Sequence, residues 1–107
     1  MTEIVPTPTF LKNAKKLAKR YHSFRDDLEK LINEISKNPN QGVALADGFR
    51  KIRMSISSKS KGKSAGARVI FLNVYEPPSK NVIYLVTIYD KSDMENITIS
   101  EIREAFS

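Results

Sequence analysis

The chain has 107 residues, 40% of them apolar and 28% charged, with no cysteine and a single histidine. That length suits one domain with one hydrophobic core. The missing sulfur excludes disulfides, thiolate catalysis and thiolate-bound zinc, and His22 alone excludes a multi-histidine metal centre. A formal charge of +6, with no apolar tract long enough to cross a bilayer, points to a globular domain whose partner is acidic, nucleic acid included.

Met1 to Thr9 has neither the basic nor the apolar segment of a secretory leader, so a cytoplasmic location is expected. Glu3 to Val5 can add a short edge strand. Thr7-Pro8-Thr9 then supplies a capping hydroxyl and a first-turn proline, and Phe10, Ala14, Leu17, Ala18 and Tyr21 recur at helical spacing. This predicts a helix from about Pro8 to Tyr21, with Lys15, Lys16, Lys19 and Arg20 as a solvated basic face. Ser23 followed by Asp26 resembles a capping box, and Leu28, Leu31, Ile32 and Ile35 mark the buried stripe of a second helix ending near Lys37. The gap at His22 is short enough to make the pair an antiparallel hairpin with His22 facing solvent. Asn38-Pro39-Asn40-Gln41-Gly42 breaks the helical pattern.

From Phe49 the period changes to two. Ile52, Met54 and Ile56 alternate with Lys51, Arg53 and Ser55, which predicts a strand with one apolar and one cationic face. Ala67 to Tyr75 and Asn81 to Tyr89 are apolar on both faces, as inner strands are, and Tyr75, Tyr84 and Tyr89 read as sheet packing. Glu76-Pro77-Pro78-Ser79-Lys80 is too short to hold a crossover helix, so the three strands form an antiparallel meander. Thr98 with Glu101 caps a last short helix carrying Ile102, Ala105 and Phe106. The fold class expected is α+β: an N-terminal helical hairpin on a small twisted, mainly antiparallel sheet, with a short C-terminal helix.

Charge is concentrated along this pattern. Residues 47 to 68 carry seven of the eighteen Lys and Arg residues and one acid, in a stretch broken by Gly and Ser that would seat a polyanion. Asp90, Asp93 and Glu95 do not have metal-binding companions at suitable spacing, so no metal or cofactor is expected.

Phe49-Arg50-Lys51-Ile52-Arg53-Met54, then Lys59-Ser60-Lys61-Gly62-Lys63-Ser64-Ala65-Gly66-Ala67-Arg68-Val69-Ile70, then Val82 to Ser92, resemble the toxins of RelE/ParE-type toxin–antitoxin modules, most closely the HigB-like branch. The resemblance spans the chain, since the helical hairpin and its Asn38-Pro39 exit also fit. It implies a helical hairpin on a twisted sheet and, on the RelE and HigB side, a ribosome-dependent mRNA endonuclease that works without metal. ParE members of the family instead poison DNA gyrase by binding, and a third reading is a basic binding module without activity. The resemblance also implies a cognate antitoxin, either a helix-turn-helix protein or a small acidic or amphipathic one, with ribosome and mRNA as the other partners.

Metal-free RNA cleavage needs a base for the ribose 2′-hydroxyl, cations for the phosphorane charge and an acid for the leaving 5′-oxygen. By position, Lys51 and Arg53 match the family's paired basic residues, Arg68 its phosphate-clamping arginine, and Lys91 the basic residue across the cleft. Lys63 and Lys61 lie on a Gly-flanked loop suited to RNA or ribosome contact, Lys63 also to catalysis; Arg50, Lys59 and Tyr89 complete the RNA-binding set. Crowding among the lysines should lower their pKa and make one a base. Ser92 stands where a second arginine is common in RelE proteins, Ile97 where the general-acid tyrosine is, and Ala65 where a loop glycine is. The acid is therefore left open between Lys91 and Tyr89.

Overall fold

The computed structural model describes residues 2–59 and 65–107. The two hydrophobic periods resolve into β1 (Thr2–Pro6), α1 (Pro8–Arg20), α2 (Phe24–Lys37), β2 (Val43–Ala44), β3 (Phe49–Met54), β4 (Ala67–Glu76), β5 (Lys80–Asp90) and α3 (Ile99–Phe106). Single 3-10 turns occupy Ala46–Gly48 and Ser57–Lys59. One sheet has the order β1-β5-β4-β3-β2. β3, β4 and β5 form the expected antiparallel meander, β2 adds an antiparallel edge, and β1 is the edge strand, parallel to β5. This is the α+β class read from the sequence. Among the described residues no helix is long and apolar enough to cross a membrane.

Local chemistry sets the element ends. The Thr7 hydroxyl accepts from the Phe10 amide (3.0 Å) and Pro8 opens α1, where its missing N–H costs nothing. α3 carries the full capping box between Thr98 and Glu101. α2 departs from expectation: Ser23 has helical backbone angles and makes no cap bond with its side chain. Its hydroxyl donates to Asp27 (2.7 Å) and meets Ser58 (2.9 Å) instead, because the buried carboxylate and the 57–59 turn both need a polar partner.

The sheet separates two cores. Phe10, Leu17, Phe24, Leu31 and Ile35 of the hairpin pack on Met54, Ile56, Val69, Phe71, Ile83 and Ile88. On the other face α3 lays Ile102 and Phe106 on Phe49, Ile70, Val86 and Tyr84, with the Phe106 ring edge-on to Phe49 (5.6 Å) and Tyr84 (5.4 Å). Tyr84 thus packs as expected, whereas Tyr75 is mostly exposed and its hydroxyl donates to the Pro78 carbonyl (2.7 Å). β4 has passed the end of β3 by that point, so nothing from β3 flanks Tyr75.

Two backbone features place the cationic face of the sheet. Opposite Ile70 and Phe71 of β4 stand Thr87 and Leu85 of β5, so Val86 is an extra residue and β5 bulges there. Thr7 clamps the bulge: its hydroxyl donates to the Val86 carbonyl (2.7 Å). The second feature is Gly66, where a Cβ would stand 2.0 Å from the Met54 carbonyl oxygen and 3.2 Å from the Ile56 nitrogen. Both neighbours are backbone, so Gly66→Ala must push β4 and the end of β3 apart. An overpacking loss of about 1–3 kcal/mol is expected in urea denaturation; an unchanged midpoint would show that the two strands are free to separate there.

Candidate functional site

Alternation along β3 puts Phe49, Lys51 and Arg53 on one face, and Phe49 lies under α3. On β4, Arg68, Ile70 and Leu72 share that face. Register then sets Arg53 directly opposite Arg68, and Arg68 directly opposite Tyr89. The bulge is what turns Tyr89 this way: before it Ile83 and Leu85 point to the hairpin core, and after it Ile88 does. Bulges near functional sites commonly re-aim side chains in this manner.

Two arginines facing one another across neighbouring strands repel and destabilise the sheet. Arg68 is only 6% exposed, and its Nη1 donates to the Ala67 carbonyl (3.2 Å). Burial, and then the charge of Arg53, push its pKa below the ordinary arginine value; arginine nonetheless remains protonated in proteins. Arg53 is exposed and enters no ion pair among the described residues. Such an arrangement stores positive potential where an anion can relieve it.

Tyr89 is 8% exposed, belongs to neither core cluster, and its buried hydroxyl has no hydrogen-bond partner among the described residues. A buried unsatisfied hydroxyl costs about 1–3 kcal/mol, and a catalytic role is one of the recognised reasons to keep one. Burial raises the Tyr89 pKa and the Arg68 charge opposes the rise, so the phenol holds its proton at neutral pH.

Lys51 is half-buried on the same face as Arg53, opposite Ile70 and Val43. Lys91 follows Asp90 at the end of β5; its amide donates to the Gly66 carbonyl (3.0 Å) and its Nζ to the Glu95 carbonyl (2.9 Å). Lys51, Arg53, Arg68 and Tyr89 therefore come together, with Lys91 close by in the chain. Lys61 and Lys63 lie outside the described residues.

The other two expected RNA contacts sit elsewhere. Arg50 alternates to the opposite face, where Nε donates to the Gln41 carbonyl (2.8 Å) and Nη2 to those of Asn40 (2.6 Å) and Gly42 (3.2 Å); it closes the loop after α2. Lys59 reaches Asp90 at 2.8 Å, with its side chain 13% exposed. Burial would lower its pKa, but the bond to Asp90 and the charge behind it raise the value overall. The pKa lowering expected from crowding among the lysines is thus reversed at Lys59, since a carboxylate is its bonded neighbour.

Asp90, weighed in the sequence only as a metal ligand and set aside, has a structural role that sequence reasoning misses. Its side chain is fully buried, and it accepts from Arg20 (2.9 Å), the Tyr21 hydroxyl (2.5 Å), Lys59 (2.8 Å) and both the amide (2.9 Å) and hydroxyl (2.7 Å) of Ser92. Burial alone would raise its pKa; the bonds from Lys59, Tyr21 and Ser92 outweigh it and hold the carboxyl well below the usual carboxylate range. Arg20 also pairs with Asp93 (2.8 Å), so this member of the α1 basic run, although exposed as expected, is tied into ion pairs. Asp27, likewise buried, accepts from the Ser57 amide (2.9 Å) and hydroxyl (2.7 Å). Against the rise that burial would bring, these bonds and that from Ser23 lower its pKa.

No protein-family model matches the chain.

The charges of the cluster define its chemistry. A buried guanidinium, an exposed one opposite it and a lysine on the same face can grip phosphate oxygens and stabilise charge that grows on them. The neighbouring phenol can donate a proton.

Proposed function

We propose that the chain is the toxin of a type II toxin–antitoxin module, a cytoplasmic ribosome-dependent endoribonuclease that cuts mRNA through the ribose 2′-hydroxyl. The observation that carries this reading is the like-charged Arg53–Arg68 pair with the Tyr89 hydroxyl beside it, unsatisfied among the described residues. A protein selected for stability alone would not keep either. The order of the Phe49–Met54, Lys59–Ile70 and Val82–Ser92 motifs, with its resemblance to HigB-like toxins, supplies the substrate class.

In this mechanism a base takes the 2′-hydroxyl proton, the 2′-oxygen attacks the adjacent phosphorus, and the bond to the 5′-oxygen breaks as that oxygen is protonated. The products are a 2′,3′-cyclic phosphate and a 5′-hydroxyl. Arg68 and Arg53 bear the phosphorane charge, Lys51 and Lys63 are the candidate bases, and Tyr89, with Lys91 beside it, is the candidate acid. An antitoxin would silence the site by contacts complementary to its positive charge.

Incubating the purified chain with mRNA, with and without ribosomes programmed by that mRNA, tests the reading. Cuts ending in 2′,3′-cyclic phosphate only when ribosomes are present support it; no cuts under either condition refute it. Tyr89→Phe separates the two acids. Removing a hydroxyl that is unsatisfied among the described residues should stabilise the fold by about 1 kcal/mol while slowing cleavage by about 100- to 10,000-fold, the range for loss of a general acid. Unchanged cleavage would pass the role to Lys91.

A further inference from the structure

We infer that Asp90 is a positioning residue that fixes the Ser57–Lys59 turn and the loop after β5 in their working places behind Arg68 and Tyr89. Its catalytic part rests on the endoribonuclease reading; its structural part does not.

Asp90 pairs with Ala67 in the same register that pairs Tyr89 with Arg68. One residue on, the side chain points to the opposite face, so the carboxylate lies directly behind the Arg68–Tyr89 pair. Its two oxygens collect groups from three segments. Arg20 and Tyr21 end the first helix, Lys59 ends the turn leading to Lys61 and Lys63, and Ser92 belongs to the loop that starts at Lys91. The Asp90 carbonyl accepts from the amides of Asp93 (3.0 Å) and Met94 (3.2 Å), and the Lys91 amide donates to the carbonyl of Gly66, just before β4 (3.0 Å).

Stability alone does not account for this arrangement. A buried ion pair is often no better for stability than apolar groups of the same volume. What it supplies is direction: each donor must come to one side of one carboxylate at hydrogen-bonding distance. The described segments so fixed carry Lys59 and Lys91, two of the cations expected from the sequence to serve the site. Asp90 also sorts charge: it takes Lys59 and Arg20 behind the sheet, on the face opposite Arg53 and Arg68.

The test uses Asp90→Asn, Lys59→Met and Lys59→Arg in the full chain. Three quantities are read: single-turnover cleavage of mRNA on programmed ribosomes, affinity for those ribosomes, and amide hydrogen exchange. With β4 and β5 still protected, Asp90→Asn should speed exchange at Ser57–Lys59 and Ser92–Met94, and Lys59→Met at Ser57–Lys59 only. Both should slow cleavage about 10- to 100-fold, the penalty for slightly misplaced groups, with ribosome affinity unchanged. Lys59→Arg, which can still pair with Asp90, should retain the wild-type rate. If Asp90→Asn does not fold, Lys59→Met decides. Folded variants cutting at the wild-type rate would overturn the inference, as would a loss confined to affinity, which makes Lys59 a direct RNA contact. Should the wild-type chain cut nothing, the functional reading fails by itself. The tie is then judged by exchange: loosening of both segments in Asp90→Asn upholds it, and unchanged exchange overturns it.

Discussion

Arg68→Ala is expected to lower mRNA cleavage by about 100- to 1000-fold, the effect of removing a preorganised donor to transition-state charge, while the melting temperature stays level or rises. The two parts have one cause. Arg68 is nearly buried and faces Arg53 across the strands, so the folded protein bears both a desolvation penalty and a like-charge repulsion. Taking the guanidinium away relieves both, at the expense of the packing made by its stem. In an RNA complex the sign reverses, because a desolvated arginine grips phosphate more strongly than one in water. Circular dichroism melts and growth after induction give the two readouts. A folded Arg68→Ala chain that still arrests growth would remove Arg68 from the site.

Asp90→Asn should have the largest effect on stability, a loss of about 3–5 kcal/mol, because removing one partner leaves the largely buried Lys59 charged against a neutral amide, while the exposed Arg20 keeps Asp93. It also predicts acid behaviour. The folded Asp90 carboxyl titrates well below an unfolded aspartate, which lies near about 3.9. A group with a depressed folded pKa contributes stability that is complete above its unfolded pKa and is lost as pH falls toward the folded value. Asp27 is shifted in the same direction and adds to the slope. Lys59 is shifted upward, so its own contribution is present below its ordinary pKa and is lost only in strong alkali. The wild-type urea midpoint should therefore hold steady from neutrality to about pH 4 and drop below it. Asp90→Asn should start lower and fall less steeply. A variant with the wild-type midpoint and acid slope would mean that the carboxylate cluster contributes nothing net.

Much of the fold is legible in the sequence because each element declares itself locally. Phe10, Leu17, Leu31 and Ile35 mark inward stripes at helical spacing, Met54 and Ile56 keep period two, and the caps at Thr7 and Thr98 are in place. The grouping of Lys51, Arg53 and Arg68 is legible for the same reason: alternation sets the face, and a meander without a crossover sets the neighbours. Three features are not. The Val86 bulge has no marker in the sequence, yet it decides that Tyr89 faces Arg68 and that Asp90 faces the hairpin. With unbroken alternation from Leu85 those two would exchange faces. Lys59 reads as a surface cation, and the exposed Arg20 as one without ion pairs, because the carboxylate that pairs them is distant in sequence. Ser23 resembles a cap since a hydroxyl before a helix usually is one, and the competing partners, Asp27 and Ser58, lie where only the folded chain brings them.

Mapping new RNA 5′ ends after inducing the chain in cells without any antitoxin, beside the Arg68→Ala variant, is the most direct test of ribosome-dependent cleavage. Cuts confined to translated frames, absent from untranslated RNA and lost in Arg68→Ala, are the expected result. Growth arrest with intact mRNA would contradict it, and would turn attention to a target held by binding, as in the gyrase-poisoning branch that the sequence also resembles.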